Sequence, residues 1–247
     1  MSVFNWLGTI GIKMINTNNI DFVDFGCSDG ANISRILAVD STLKGLGIDI
    51  DESKLKKAKE NGFNVVNFDI LKLPNQKLVK FVTMSHFLEH LPSVKFAEDI
   101  INCGINISSE FVFIRQPWFD SDGILLFNNL KLFWSDWSGH PNNMTTLDFY
   151  LIFLRALKSR YIYDFSIFGR GHIVNSSDEC LIPLKAPHNS HKYDKIKHGE
   201  KSTDQELFNP VYKEVIVIAR IKQHVNCEIF LKSLDHLHLI KYESISE

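Results

Sequence analysis

Val23-Asp24-Phe25-Gly26-Cys27-Ser28-Asp29-Gly30 is the stretch whose reading decides the fold. The apolar run Phe22 to Phe25 has the length and composition of a short buried strand. From Ala31 to Ala38 the spacing changes to helical, with Ile33, Ile36 and Leu37 on one face. The glycines between the two let the backbone turn tightly and come close to a ligand. The start of the following helix offers N–H groups that have no partner within the helix. Strand, glycine turn and helix therefore open an α/β unit.

The alternation continues outward from that stretch. Leu43 to Ile48 reads as a second strand. Asp51-Glu-Ser-Lys-Leu-Lys-Lys-Ala-Lys opens a helix with acids first and lysines later, matching the helix dipole. Asn64 to Phe68 reads as a third strand, Phe81 to Met84 as a fourth, Val94 to Cys103 as a helix and Glu110 to Ile114 as a fifth strand. Strands alternating with helices imply parallel pairing through right-handed crossovers. After the fifth strand the pattern changes. Residues 116–144 are rich in Trp, Phe, Asn and Asp and have no clear period. Thr146 to Lys158 returns to helix, and Tyr161 to Phe168 and Tyr212 to Ile221 read as late strands. The polar stretch 170–210 between them is too long for an ordinary connection and reads as an insertion or lid.

The chain has 247 residues, 45% hydrophobic and 23% charged, which fits one globular domain with a substantial core. A formal net charge of -2 provides no global field to attract nucleic acid, so no nucleic-acid partner is expected. No apolar run reaches the roughly 18 residues of a membrane span. Cys27, Cys103, Cys180 and Cys227 are far apart and form no CxxC pair, so they read as reduced thiols and the chain as cytoplasmic. The apolar N-terminal segment, residues 1–20, lacks a basic region and a small-residue cleavage site. It reads as a packing or substrate-covering segment rather than a signal peptide.

Two acids follow the glycine loop at informative places. Gly47-Ile48-Asp49-Ile50-Asp51 puts Asp49 at the end of the second strand, where a carboxylate can accept hydrogen bonds from both ribose hydroxyls of a nucleoside. Asp51 is better placed as a helix cap. Phe68-Asp69-Ile70 follows the third strand, where an acid can accept an adenine amino group while Ile50 packs on the ring, or can simply hold a turn. The glycine loop departs from the GxGxxG of dinucleotide enzymes, because the third glycine is missing.

Taken together, residues 20–115 resemble the cofactor half of class I S-adenosylmethionine (SAM)-dependent methyltransferases. VDFGCSDG resembles their first motif, GIDIDESKLKKAK their second, FDILKLP their third and FVTMSHFLEHLPS their fourth. The resemblance implies an α/β, Rossmann-like, doubly wound and mostly parallel sheet of the seven-stranded methyltransferase type, with an irregular insertion between the last two strands. It implies a single domain, residues 1–247, with a SAM-binding half at 21–115 and an acceptor-binding loop at 116–144. It also implies that Gly26, Cys27, Ser28, Asp29 and Gly30 hold the methionine part of SAM and Asp49 the ribose. Asp69 and Ile70, beside Ile50, then contact adenine, and Ser85 or His86 lies near the sulfonium. Ser28 stands where the family more often has glycine.

His86-Phe-Leu-Glu89-His90 has three readings. As H-x-x-E-H it matches the inverted zincin pattern of a zinc hydrolase, which needs a long helix that Pro92 interrupts. It also resembles the Glu-x-x-Glu-His of methyltransferases that bind a divalent metal beside vicinal sugar hydroxyls, with His86, Glu89, His90 and His140 as candidate ligands. In the plainest reading Leu88 packs inward and His90 only hydrogen-bonds near the pocket.

For the acceptor, Arg115 after the fifth strand can pair with a phosphate or carboxylate, or with an acid at the sheet edge. Trp134-Ser-Asp136-Trp137-Ser-Gly139-His140-Pro141 sets aromatics beside Asp and His, a composition suited to a sugar. The alternative is that the tryptophans are core. His140 is the leading candidate for a general base or an extra metal ligand, with His90, His86 and Arg115 as further catalytic candidates. IRQPWF with WSDWSGHP resembles, more loosely, bacterial methyltransferases of surface-polysaccharide clusters. The resemblance implies a small-molecule or carbohydrate acceptor, SAM as cofactor and S-adenosylhomocysteine (SAH) as product. Methylation of a small amine stays open.

Overall fold

The structure is a computed structural model that describes residues 20–187, 192–202, 205–225, 227, 230–231 and 234–245. The N-terminal segment read above as a packing or covering element lies outside the described residues, except for Ile20. So do 188–191 and 203–204 of the expected insertion.

The elements run β1 (Phe22–Phe25), α1 (Ala31–Val39), β2 (Gly45–Asp49), α2 (Glu52–Glu60), β3 (Val65–Asn67), β4 (Val79–Ser85), α3 (Val94–Ile107), β5 (Ser108–Pro117), α4 (Asp122–Phe127), β6 (Leu130–Leu132), α5 (Thr146–Lys158), β7 (Asp164–Asn175), β8 (Leu181–Pro183), α6 (Lys195–His198), β9 (Glu206–Arg220) and β10 (Leu237–Ser244). Short 3-10 turns occupy Ile70–Lys72 and Leu88–His90. The main sheet has the order β10-β7-β9-β5-β4-β1-β2-β3. Strands β1 to β5 are parallel, while β9, β7 and β10 pair antiparallel.

The sheet has eight strands where seven were expected. The extra one, β10, is an edge strand paired with β7 whose apolar Leu239, Ile240 and Tyr242 are exposed rather than buried. The expected insertion does lie between β7 and β9, but it has order of its own: β8 pairs with β6 in a second small sheet and α6 follows. β7 runs on to Asn175 and β9 begins at Glu206, so both extend into the stretch expected to be irregular. Within 116–144, α4 and β6 are formed.

Three of the 19 phenylalanines form a ladder across the sheet. Phe22, Phe81 and Phe111 are register partners on β1, β4 and β5, and their rings stack at 5.1 and 4.7 Å. Ile33 and Ile36 of α1 and Leu55 and Ala58 of α2 cover that face. On the other face α3 and α5 bury Ile101, Ile105, Phe149 and Phe153 against Val82, Met84, Val112 and Ile114. Each such burial is worth roughly 1.5–3 kcal/mol, so the two helical layers hold the strand ends in fixed relation. Because β1 lies between β2 and β4, the chain reverses its direction of progress across the sheet at β1. A crevice opens at such a switch point, beyond the carboxyl ends of the strands.

Candidate functional site

The glycine loop leaves β1 at that crevice. Gly26 has φ +66°, and a Cβ there would lie 2.1 Å from the Phe87 ring, so only glycine fits. Its N–H donates to Ile48 O on β2, which fastens the loop to the neighbouring strand. Ser28 sits in the left-handed region at φ 49°, a position serine occupies under strain. Cys27 is buried and Asp29 is engaged by Lys57 Nζ at 2.8 Å, so the loop turns backbone rather than those side chains toward the crevice.

Asp49 meets the loop. Its Oδ2 accepts the Ser28 N–H at 2.9 Å and its Oδ1 accepts the Asp51 N–H at 2.9 Å. Each carboxylate oxygen retains a second lone pair for a ligand hydroxyl. Ile50 beside it is 76% exposed, an apolar wall without a cover, and Asn67 Nδ2 donates to its carbonyl. Asp69 caps the 3-10 turn through the Leu71 N–H, and Ile70 is buried in the core. Asp51 caps α2, as its position implied.

Beneath the loop, Asp24 is fully buried and accepts from Asn32 Nδ2 and Thr83 Oγ1, both at 2.7 Å. Burial pushes its carboxyl up to about 7, with the Thr83 and Asn32 donors working against that shift.

At the end of β4, His86 turns the chain at φ 50° and its N–H extends the ladder to Arg115 O. Its ring bridges two acids, with Nε2 3.0 Å from Glu214 Oε1 and Nδ1 3.5 Å from Glu89 Oε1. Burial lowers the imidazolium pKa, but Glu214 and Glu89 outweigh it and raise it to about 9. His86 is therefore a cation at neutral pH, with neither ring nitrogen left as a base or metal ligand. Glu214 also accepts from Arg115 Nε at 2.9 Å and from Arg170 at 2.6 Å. Burial raises this carboxyl, yet His86, Arg115 and Arg170 together hold it well below the usual carboxylate range. Arg115 is thus engaged by an acid of the sheet, the second of the two readings open for it in the sequence. Ser85 Oγ is buried with no hydrogen-bond partner among the described residues.

A cavity of about 450 Å³ opens on the other side of His86, lined by Glu89, His90, Phe133, Trp137, His140 and Lys213, among others. The turn carrying Glu89 and His90 is a single 3-10 turn, so the long helix that a zincin needs is absent. Asn142 ties the turn to the 134–142 segment: its side chain donates to Leu88 O at 3.0 Å and its N–H to Glu89 O at 3.2 Å. This brings the His140 ring to 5.0 Å from His90 and 4.7 Å from Trp137. Burial lowers the His140 pKa, which keeps the ring neutral. Trp134 is core, donating to Trp118 O, and Asp136 is engaged by Lys131.

Glu214, Arg170, Asn142 and the Asp24-Asn32-Thr83 group escaped the sequence reading. Glu214 and Asp24 each left a signal, a lone acid opening the otherwise apolar run Val215-Ile-Val-Ile-Ala219 and a lone acid inside the apolar run Phe22–Phe25.

No family model and no curated protein matches this sequence. Solved structures do. A SAM-dependent methyltransferase from Archaeoglobus fulgidus aligns with a TM-score of 0.54 at 19% identity, over 87% of this chain and 91% of that one. A protein of Bacillus halodurans C-125 put forward as a methyltransferase gives 0.53 at 13%, over 89% and 98%. The plantazolicin methyltransferase BpumL, in complex with SAH, gives 0.50 at 14%, over 81% and 76%. At these identities the likeness establishes the fold: the chain has the α/β architecture of SAM-dependent methyltransferases.

Proposed function

We propose that this chain transfers the methyl group of SAM to a hydroxyl of a small polar acceptor, a sugar or a sugar-linked phosphate-type group of a surface polysaccharide. The observation that carries this reading is the hydrogen bond from the Ser28 N–H to Asp49 at the switch point of the sheet. It makes one cradle of a glycine turn and a strand-end acid, with Ile50 exposed as a wall for a flat ring. Residues 21–115 form the cofactor half and 116–144 supply the acceptor loop.

SAM is already activated, so catalysis is chiefly positioning. Ser85 and the Gly26–Gly30 backbone orient the methionine end, and Asp49 fixes the ribose. The acceptor enters the aromatic cavity, where Trp137 and Phe133 offer ring faces and His140 and His90 activate its hydroxyl. His86, locked between Glu89 and Glu214, positions that turn and acts through its neighbours.

Calorimetric titration with SAM tests the cradle. Asp49→Ala is expected to weaken SAM at least about tenfold, since hydrogen bonds to a charged group are worth roughly 1.5–3 kcal/mol each. Undiminished binding overturns the reading. With labelled SAM and a panel of nucleotide sugars, His140→Ala is expected to cut turnover and leave SAM affinity intact. Unchanged turnover removes His140 from its role.

A further inference from the structure

The floor of the acceptor cavity carries more than hydrogen-bonding groups. We infer that Glu89, His90 and His140 together bind one divalent transition-metal ion, which also coordinates the acceptor hydroxyl. One ligand atom from each of the three lies within 4.8 Å of the other two. His90 Nδ1 stands 2.7 Å from Gly139 O, and His140 Nδ1 stands 3.3 Å from Trp134 O. A carbonyl only accepts, so each Nδ1 carries the hydrogen and each Nε2 keeps its lone pair. Metal-ligating histidines are held in this way by their outer neighbours.

The third ligand supplies an independent observation. Glu89 is 1% exposed, and its Oε2 has no hydrogen-bond partner among the described residues. A buried acceptor left unpaired costs roughly 1–3 kcal/mol, and more when it is charged. A cation supplies the missing partner. The other oxygen faces His86 Nδ1 at 3.5 Å, which fixes the direction of the carboxylate. Asn142 fixes the distance between the two segments that carry the ligands. The site is therefore assembled before any ion arrives.

Two imidazoles and one carboxylate suit Zn²⁺, Mn²⁺, Fe²⁺ or Co²⁺, whereas Mg²⁺ and Ca²⁺ favour oxygen ligands throughout. Three protein ligands leave coordination positions open, the mark of a working site rather than a structural one. An acceptor hydroxyl held there loses its proton to solvent water far more readily than a free one. Its oxygen then attacks the methyl carbon. The O–C bond forms as the C–S bond breaks, and the electron pair of that bond stays on sulfur to give neutral SAH. This role rests on the acceptor reading of the cavity; metal binding by itself does not.

The test uses the full chain, stripped with a chelator and titrated with Co²⁺ in the absence of SAM and acceptor, followed by calorimetry and visible ligand-field absorption. One equivalent is expected to bind with ligand-field bands. Glu89→Gln is expected to weaken Co²⁺ by more than about 100-fold, beyond the loss from removing an outer neighbour. His90→Ala, at an exposed position, is expected to do the same. Failure of the unaltered chain to bind one equivalent overturns the inference. So does undiminished binding in His90→Ala. SAM titration of the same samples separates the two proposals: intact SAM binding without metal binding leaves methyl transfer standing, and the reverse leaves only the metal site.

Discussion

The ends of β1 and β4 are neighbours in one parallel sheet, yet they dispose of their polar groups in opposite ways. Around β1 and the end of β2, both oxygens of Asp49 accept backbone N–H groups, and buried Asp24 accepts two side-chain donors. Past β4, Glu214 gathers three cationic side chains, while Ser85 Oγ and Glu89 Oε2 are buried with no hydrogen-bond partner among the described residues. The first region completes its shape with its own chain and offers a ligand spare lone pairs. The second is held rigid around groups whose valence the chain does not satisfy. A buried acceptor without a donor lowers stability, so its persistence beside a cavity marks where a ligand makes up the difference.

The largest effect tests whether the β4 region is one coupled unit. Glu214→Ala strands Arg115, Arg170 and His86 together, and breaking a buried ion pair costs about 3–5 kcal/mol. For a chain of this size that is a fall of about 10 °C in Tm by thermal melt. A fall of one or two degrees breaks the comparison.

The next effect sharpens it on the β1 side. The Asp24 carboxyl sits at about 7 in the fold and at the ordinary aspartate value of 3.8 when exposed. The fold holds the proton more tightly than the unfolded chain does. Stability from this group is therefore full below about pH 4, falls as pH rises toward about 7, and stays lost above it. The span corresponds to at most about 4 kcal/mol at 1.36 kcal/mol per unit. Asp24→Asn is expected to remove that slope, so urea denaturation should show the variant gaining on the parent between those limits. Parallel pH profiles would show that Asp24 is not a strained acid.

The smallest effect concerns Ser28. Glycine adopts φ 49° without strain, so Ser28→Gly is expected to raise stability by about 0.5–1 kcal/mol and leave SAM affinity within about twofold. A weaker variant would mean that the serine hydroxyl, not only its N–H, serves the cradle.

The β1 side was legible because its signals are local. A strand of four residues, a turn that needs glycine at φ +66° and an acid 21 positions from Ser28 all lie within one βαβ unit. The β4 side was legible only as residue types. Arg115 reads equally as an anion receptor or an ion-pair partner until Glu214 is seen beside it, 99 residues later. His86 in H-x-x-E-H looks like a ligand until both its nitrogens are found at carboxylates. Strand β10 was missed because what makes it a strand is its antiparallel pairing with β7, far away in the chain.

The sequence by itself determined the parallel α/β core and the glycine turn with its facing acid, since helix period, strand period and glycine's access to positive φ are properties of short segments. Which acid holds Arg115, and which histidines meet Glu89, was decided only by the tertiary structure. Antiparallel β9 sets Glu214 opposite Arg170 and beside the end of β5, and Asn142 pins one loop to the turn after β4. Such contacts between residues 44 to 128 positions apart follow from how whole layers pack, and no local pattern encodes them.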